Sequence, residues 1–168
     1  MRKDNKERLY MYGQEENIRE QIIEEYRDDV VKLIKYLPWL SKKSGKDVST
    51  MYTGDEEKPL IPIPVYDSTL LAFIKDAEKT KFVDRNYPYV YSRNNIKSHD
   101  DELRLIRNAK ITDLKIFKGI LSKYILGGRT KAALWSEGVE AGIYVALLDN
   151  LNRLFFSNTK DGSKMLRY

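Results

Sequence analysis

Ser98-His99-Asp100-Asp101-Glu102 is the one place in the chain where an imidazole and several carboxylates crowd together, the ingredients of a general base or of a metal-ligand set. His99 is also the only histidine, so no two-histidine metal site or relay can be built within one chain. With no cysteine, thiol catalysis, Cys-based zinc sites and disulfide scaffolds are excluded too. The same cluster opens a predicted helix, where the dipole and the exposed N–H groups favour carboxylates, and capping alone explains it. Asp67, Asp76, Asp84, Glu137 and Glu140 are oxygen donors of the kind Mg²⁺ takes, but their spacing does not bring them together. Each has a simpler role as a cap or a solvated face residue. The sequence therefore predicts no catalytic residue, no metal site and no cofactor.

Binding chemistry is better represented. From Lys79 to Lys131 there are thirteen Lys or Arg against five Asp or Glu, in a chain whose net charge is +5, so an anionic partner is permitted without being required. On a predicted helix starting at Thr112, Lys115, Lys118 and Ser122 lie away from the apolar stripe and offer a basic face for phosphate contacts; a solvated helix face has the same appearance. Gly127-Gly128-Arg129-Thr130-Lys131 places glycines before a helix start with a Thr and a Lys nearby. It lacks the P-loop pattern and a preceding buried strand, so helix termination explains it, with room for an anion at Arg129, Thr130 and Lys131. Tyr87, Tyr89 and Tyr91 alternate among Arg85, Asn86 and Arg93, a mixture of stacking surfaces and cations used by single-strand binders and also by core margins. The span from Thr130 to Phe156 has helix-turn-helix spacing about Gly138, yet Glu140, Ala141, Ile143 and Tyr144 stand where a recognition helix needs basic or polar residues. Two packed core helices are the expectation there.

These residues must be positioned by the following elements. The first dozen residues are charged and without apolar period, and 1–14 is expected to be a flexible lead-in. From Ile18 to Leu37, apolar residues recur every three or four positions, predicting an amphipathic helix that Pro38 ends. A polar, turn-rich stretch follows around a short ordered piece at Val48 to Tyr52, and Lys58 to Tyr66 alternates proline with aliphatics, predicting an extended segment or an edge strand. Asp67 and Ser98 are expected to cap helices, Thr112 another, and Gly127-Gly128 to end it. The Tyr87 to Tyr91 alternation predicts a short extended element limited to an edge by Pro88. Tyr144, Leu147, Leu148, Leu151, Leu154 and Phe155 form the stripe of the last helix, and 157–168 is a polar, basic tail without core residues.

In order and hydrophobic pattern the chain resembles a family of small uncharacterised bacterial proteins grouped as a domain of unknown function. The resemblance is carried by Leu33-Ile34-Lys35-Tyr36-Leu37, by Pro64-Val65-Tyr66 leading into Leu71 and Phe73-Ile74, and by Gly138 and Gly142 ahead of Leu148, Leu151 and Leu154. It implies a compact, mainly helical domain and no established activity.

At 168 residues, 42% hydrophobic and 33% charged, the chain can close one core without disulfides or metals. A mean hydropathy of -0.57 and the absence of a long apolar run argue against a membrane span, and the start lacks the apolar region of a secretory signal, so a cytoplasmic location is expected. The expectation is one all-α domain over 15–156 of five or six helices in a bundle-like arrangement, with a Pro-rich extended segment and at most a minor β-hairpin. Its expected function is non-enzymatic binding or adaptor work, with the partner, a protein or a nucleic acid, left open. The alternatives are nucleic-acid binding, through the basic face or the helix-turn-helix-like pair, and an enzyme acting on a phosphorylated small molecule with His99 as acid or base.

Overall fold

The computed structural model describes residues 2–55 and 58–157. Among them the fold is mainly helical with one small two-stranded sheet, as the periodicities predict, but with eight α-helices in place of five or six. The difference arises at prolines. The first helix, α1 (Arg2–Ile34), stops before Pro38, and Pro38 then sits in the first turn of a second helix, α2 (Leu37–Lys43). A first-turn proline lacks only an N–H that has no helical acceptor anyway, so it starts a helix as readily as it ends one. Pro88 does the same in α4 (Tyr87–Arg93), which replaces the extended element expected there. Three alternating tyrosines are too short a run to define a strand, and no second strand pairs with them.

The stretch 2–14 is also helical and continuous with α1 rather than a separate lead-in, although its side chains from Asn5 onward are exposed. Good helix formers such as Lys, Glu, Arg and Leu carry the helix where no core stripe does. The strands β1 (Ser49–Asp55) and β2 (Lys58–Tyr66) pair antiparallel, with Ser49 opposite Tyr66 and Tyr52 opposite Ile63, and the register shifts between Tyr52 and Gly54. Both strands of a two-stranded sheet are edges, which is where prolines 59, 62 and 64 are tolerated. Residues 158–168, most of the expected basic tail, lie outside the described residues.

The remaining helices are α3 (Ser68–Glu78), α5 (His99–Asn108), α6 (Leu114–Gly127), α7 (Ala133–Glu140) and α8 (Ile143–Phe156). Asp67 caps α3 by accepting from the Thr69 N–H at 2.8 Å, and Ser98 caps α5 by accepting from the Asp101 N–H at 3.1 Å. Thr112 is not a cap: it lies inside a 3₁₀ turn (Ile111–Asp113) ahead of α6, and the Asp113 carboxylate closes that turn on the Lys110 N–H at 2.9 Å. The central helix is α6, packed against α3, α4, α5, α7 and α8, with Phe117, Ile120, Leu121, Tyr124 and Ile125 buried. Its encirclement explains why Ser122, expected on an outer face, is fully buried: its Oγ donates to the Phe82 carbonyl at 3.1 Å and accepts from the Asp84 N–H at 2.8 Å. Gly128 follows α6 because a Cβ there would lie 2.1 Å from the Trp135 ring.

One peripheral contact gives a pH dependence. The Tyr36 hydroxyl donates to Asp76 Oδ2 at 2.5 Å, with Lys35 Nζ 3.2 Å from the same oxygen. Burial, then the hydrogen bond to Asp76, pushes Tyr36 up to about 12, while the bond from Tyr36 holds the Asp76 carboxyl below its ordinary value. Above pH 10 the unfolded chain releases the Tyr36 proton before the folded one does, so stability falls as pH rises to about 12. In acid the unfolded Asp76 takes up its proton first, so stability falls again as pH drops through the depressed Asp76 range. Urea unfolding midpoints across acid, neutral and alkaline pH should show shallower slopes at both ends in Tyr36→Phe than in the wild type; parallel profiles would refute this.

Candidate functional site

A cleft of about 420 Å³ opens between α4, the loop after it, α5, α6 and α7. Its lining includes Tyr91, Lys97, His99, Glu102, Lys123 and Glu137. His99 and Glu102 come from the first turn of α5, three residues apart and therefore on one helix face. The N-terminal carboxylates then divide their roles. Asp101 turns outward, accepts from the Lys97 N–H at 2.9 Å and pairs with Arg104 at 3.1 Å; the Lys97 bond holds its carboxyl below the usual range. Glu102 turns inward and is only 1% exposed.

A buried carboxylate needs partners, and Glu102 has two hydrogen-bond donors and one cation. Its Oε1 accepts from the Tyr124 hydroxyl at 2.7 Å, and its Oε2 accepts from the Tyr91 hydroxyl and lies 3.6 Å from Lys123 Nζ. Lys123 in turn sits over both tyrosine rings, 5.0 Å from the Tyr91 centroid and 4.9 Å from that of Tyr124. Burial pushes both hydroxyls far above the ordinary tyrosine value, and the contact with Glu102 adds to it, so each stays a protonated donor at neutral pH. The floor of the cleft is thus a buried acid held by two hydroxyl donors and paired with one cation.

At the rim, His99 Nε2 lies 2.8 Å from Glu137 Oε1, with both side chains partly exposed. An ionised carboxylate can only accept, so Nε2 is the donor in this contact. A carboxylate bonded to one ring nitrogen is also the means by which acid–base catalysts orient an imidazole. No family model, no curated protein and no solved structure matches this chain.

Of the residues the sequence singled out, Tyr91 alone among the tyrosines reaches this cleft. In helix α4 the alternation splits the set: Tyr91 turns inward to Glu102, whereas Tyr89 is 61% exposed and pairs with Arg93. The three do not form a stacking array. Arg129 is bound to Glu78 through two nitrogens, both at 3.0 Å, and Thr130 Oγ1 donates to the Gly127 carbonyl at 3.2 Å. Lys118 lies over the Tyr26 ring at 5.6 Å, so of the proposed phosphate contacts Lys115 and Lys131 are exposed and have no such engagement. At the start of α8, Ile143 and Tyr144 are fully buried. Among the described residues no group of three or more His, Asp or Glu is arranged to hold a metal ion. Asp67 caps α3, Asp76 takes Tyr36 and Lys35, Asp84 accepts from the Asn86 N–H at 2.9 Å, and Glu137 takes His99.

Glu102 and Glu137, read from the sequence as a helix-start carboxylate and a solvated face residue, line the cleft together with Lys123, which the sequence does not single out. The one available signal was the i, i+3 spacing of His99 and Glu102, which puts the imidazole and one carboxylate on the same face.

Proposed function

We propose that the protein binds a small molecule carrying an anionic group in the cleft bounded by α4 to α7, and that His99, oriented by Glu137, exchanges a proton with it. The observation that carries this is the 2.8 Å His99–Glu137 pair at the rim of a concave site with a buried Glu102 network as its floor. Both acids of the cleft already have partners, Lys123 serving Glu102, whereas the Lys97 ammonium is exposed at the cleft's edge, so the charge left to be met there is positive and calls for an anion. A non-enzymatic binder and an acid–base enzyme would both use this arrangement, and the fate of the bound molecule separates them. The membrane has no part in this reading: no helix among the described residues is long and apolar enough to cross one.

The test is calorimetric titration with inorganic phosphate, acetate and succinate. At least one is expected to bind saturably at millimolar concentration, and the His99 imidazole resonances, which have no other histidine to overlap them, should move over the same range. Lys97→Met should weaken that binding roughly tenfold at low salt. Absence of saturable binding by all three anions, or binding that leaves the imidazole unmoved, refutes the proposal.

A further inference from the structure

The longest helix extends past the body that it supports. At 33 residues α1 runs about 50 Å, yet its packing on the core begins at Ile22, Ile23 and Tyr26. The preceding turns carry Leu9, Tyr10, Met11 and Tyr12, each 58% to 71% exposed. At 100° per residue, Arg8, Met11, Tyr12, Glu15 and Arg19 share one face, the same face that further along buries Val30 and Leu33. Where that face leaves the body, a groove of about 310 Å³ remains between Tyr12, Glu15 and Arg19 of α1 and Lys110 and Ile111 before α6.

We infer that this face pairs antiparallel with the same face of α1 in a second copy of the chain, across a two-fold axis between Met11 and Tyr12. Self-complementarity selects this occupant. Arg8 and Glu15 stand at equal distances on either side of the apolar centre, so an antiparallel pair sets Arg8 of each copy opposite Glu15 of the other. A parallel pair would set Arg8 against Arg8 and Glu15 against Glu15. Met11 and Tyr12 of each copy cover those of the other, removing from water two of the four exposed apolar residues at positions 9–12. The antiparallel arrangement also opposes the two helix dipoles.

Sedimentation equilibrium on the full chain over the micromolar range reads the association directly. The wild type is expected to dimerise, more weakly as salt is raised. Arg8→Glu should weaken the dimer roughly tenfold or more, and Arg8→Glu combined with Glu15→Arg should restore it, because the swap rebuilds both pairs. Met11→Lys should leave a monomer with the wild-type helical circular dichroism, since the side chain contacts no core. A wild type that stays monomeric throughout, a double swap that fails to restore association, or a dimer indifferent to Met11→Lys would each overturn the inference.

Discussion

Glu102→Ala is expected to lower the unfolding free energy by about 3–5 kcal/mol, a large fraction of what holds a domain of this size. The carboxylate is 1% exposed and accepts from Tyr91 and Tyr124, so its removal strands two hydroxyls, of which Tyr124 has no access to water. Each stranded group costs about 1–3 kcal/mol, and the Lys123 ammonium adds less because its side chain is 29% exposed and can rehydrate. Glu102→Gln keeps the shape and one acceptor and should recover about half of the loss. The informative comparison is the combined replacement Glu102→Leu, Tyr91→Phe, Tyr124→Phe and Lys123→Met. Removing all the partners of a buried network together is close to neutral when the network serves something other than stability. Urea unfolding of the three variants decides: a quadruple variant as damaged as Glu102→Ala would mean that the polar floor is there to hold the fold.

Leu151→Ala is the second large loss, about 2–5 kcal/mol through the cavity it leaves among the buried residues of α8 and its neighbours. Leu151 is 1% exposed in a stripe with Tyr144, Leu147, Leu148 and Phe155 that faces α1, α5 and α2. Two residues earlier, Asp149 is exposed, and Asp149→Ala should change stability by no more than about 0.5 kcal/mol. Thermal or urea unfolding of the pair measures the contrast. Equal, small effects would mean that α8 does not pack as described.

The stripe of α8 and the Asp67 and Ser98 caps were legible because each is a local rule, periodicity or a side-chain oxygen before a helix; the stop at Gly127-Gly128 falls where expected, but Gly128 is right-handed and is demanded by the Trp135 ring. Prolines 38 and 88 misled for a local reason as well, since the same residue ends one helix and opens the next. The site was less legible because its partners are distant in sequence. Nothing near His99 announces Glu137, 38 residues on, and the carboxylates beside it were fully explained by the helix N-terminus, which hid that Glu102 alone turns inward. Ser122 was misplaced because the stretch of α6 from Gly119 to Ser122 is enclosed by its neighbours, so a polar residue there does not mark an outer face.

The β1–β2 hairpin meets the helices at its base, where the Asp67 N–H donates to the Val48 carbonyl at 3.3 Å and Ser49 pairs with Tyr66. In topological terms it is an appendix: the chain departs and returns through one point, and α2 and α3 are joined whether the excursion between them is long or short. Closing a longer excursion costs only logarithmically more, while Tyr66, set edge-on against Trp135 at 5.6 Å, fixes its root to α7. The tip of the hairpin is therefore the place where this chain can change length over evolutionary time without disturbing the helices that build the cleft.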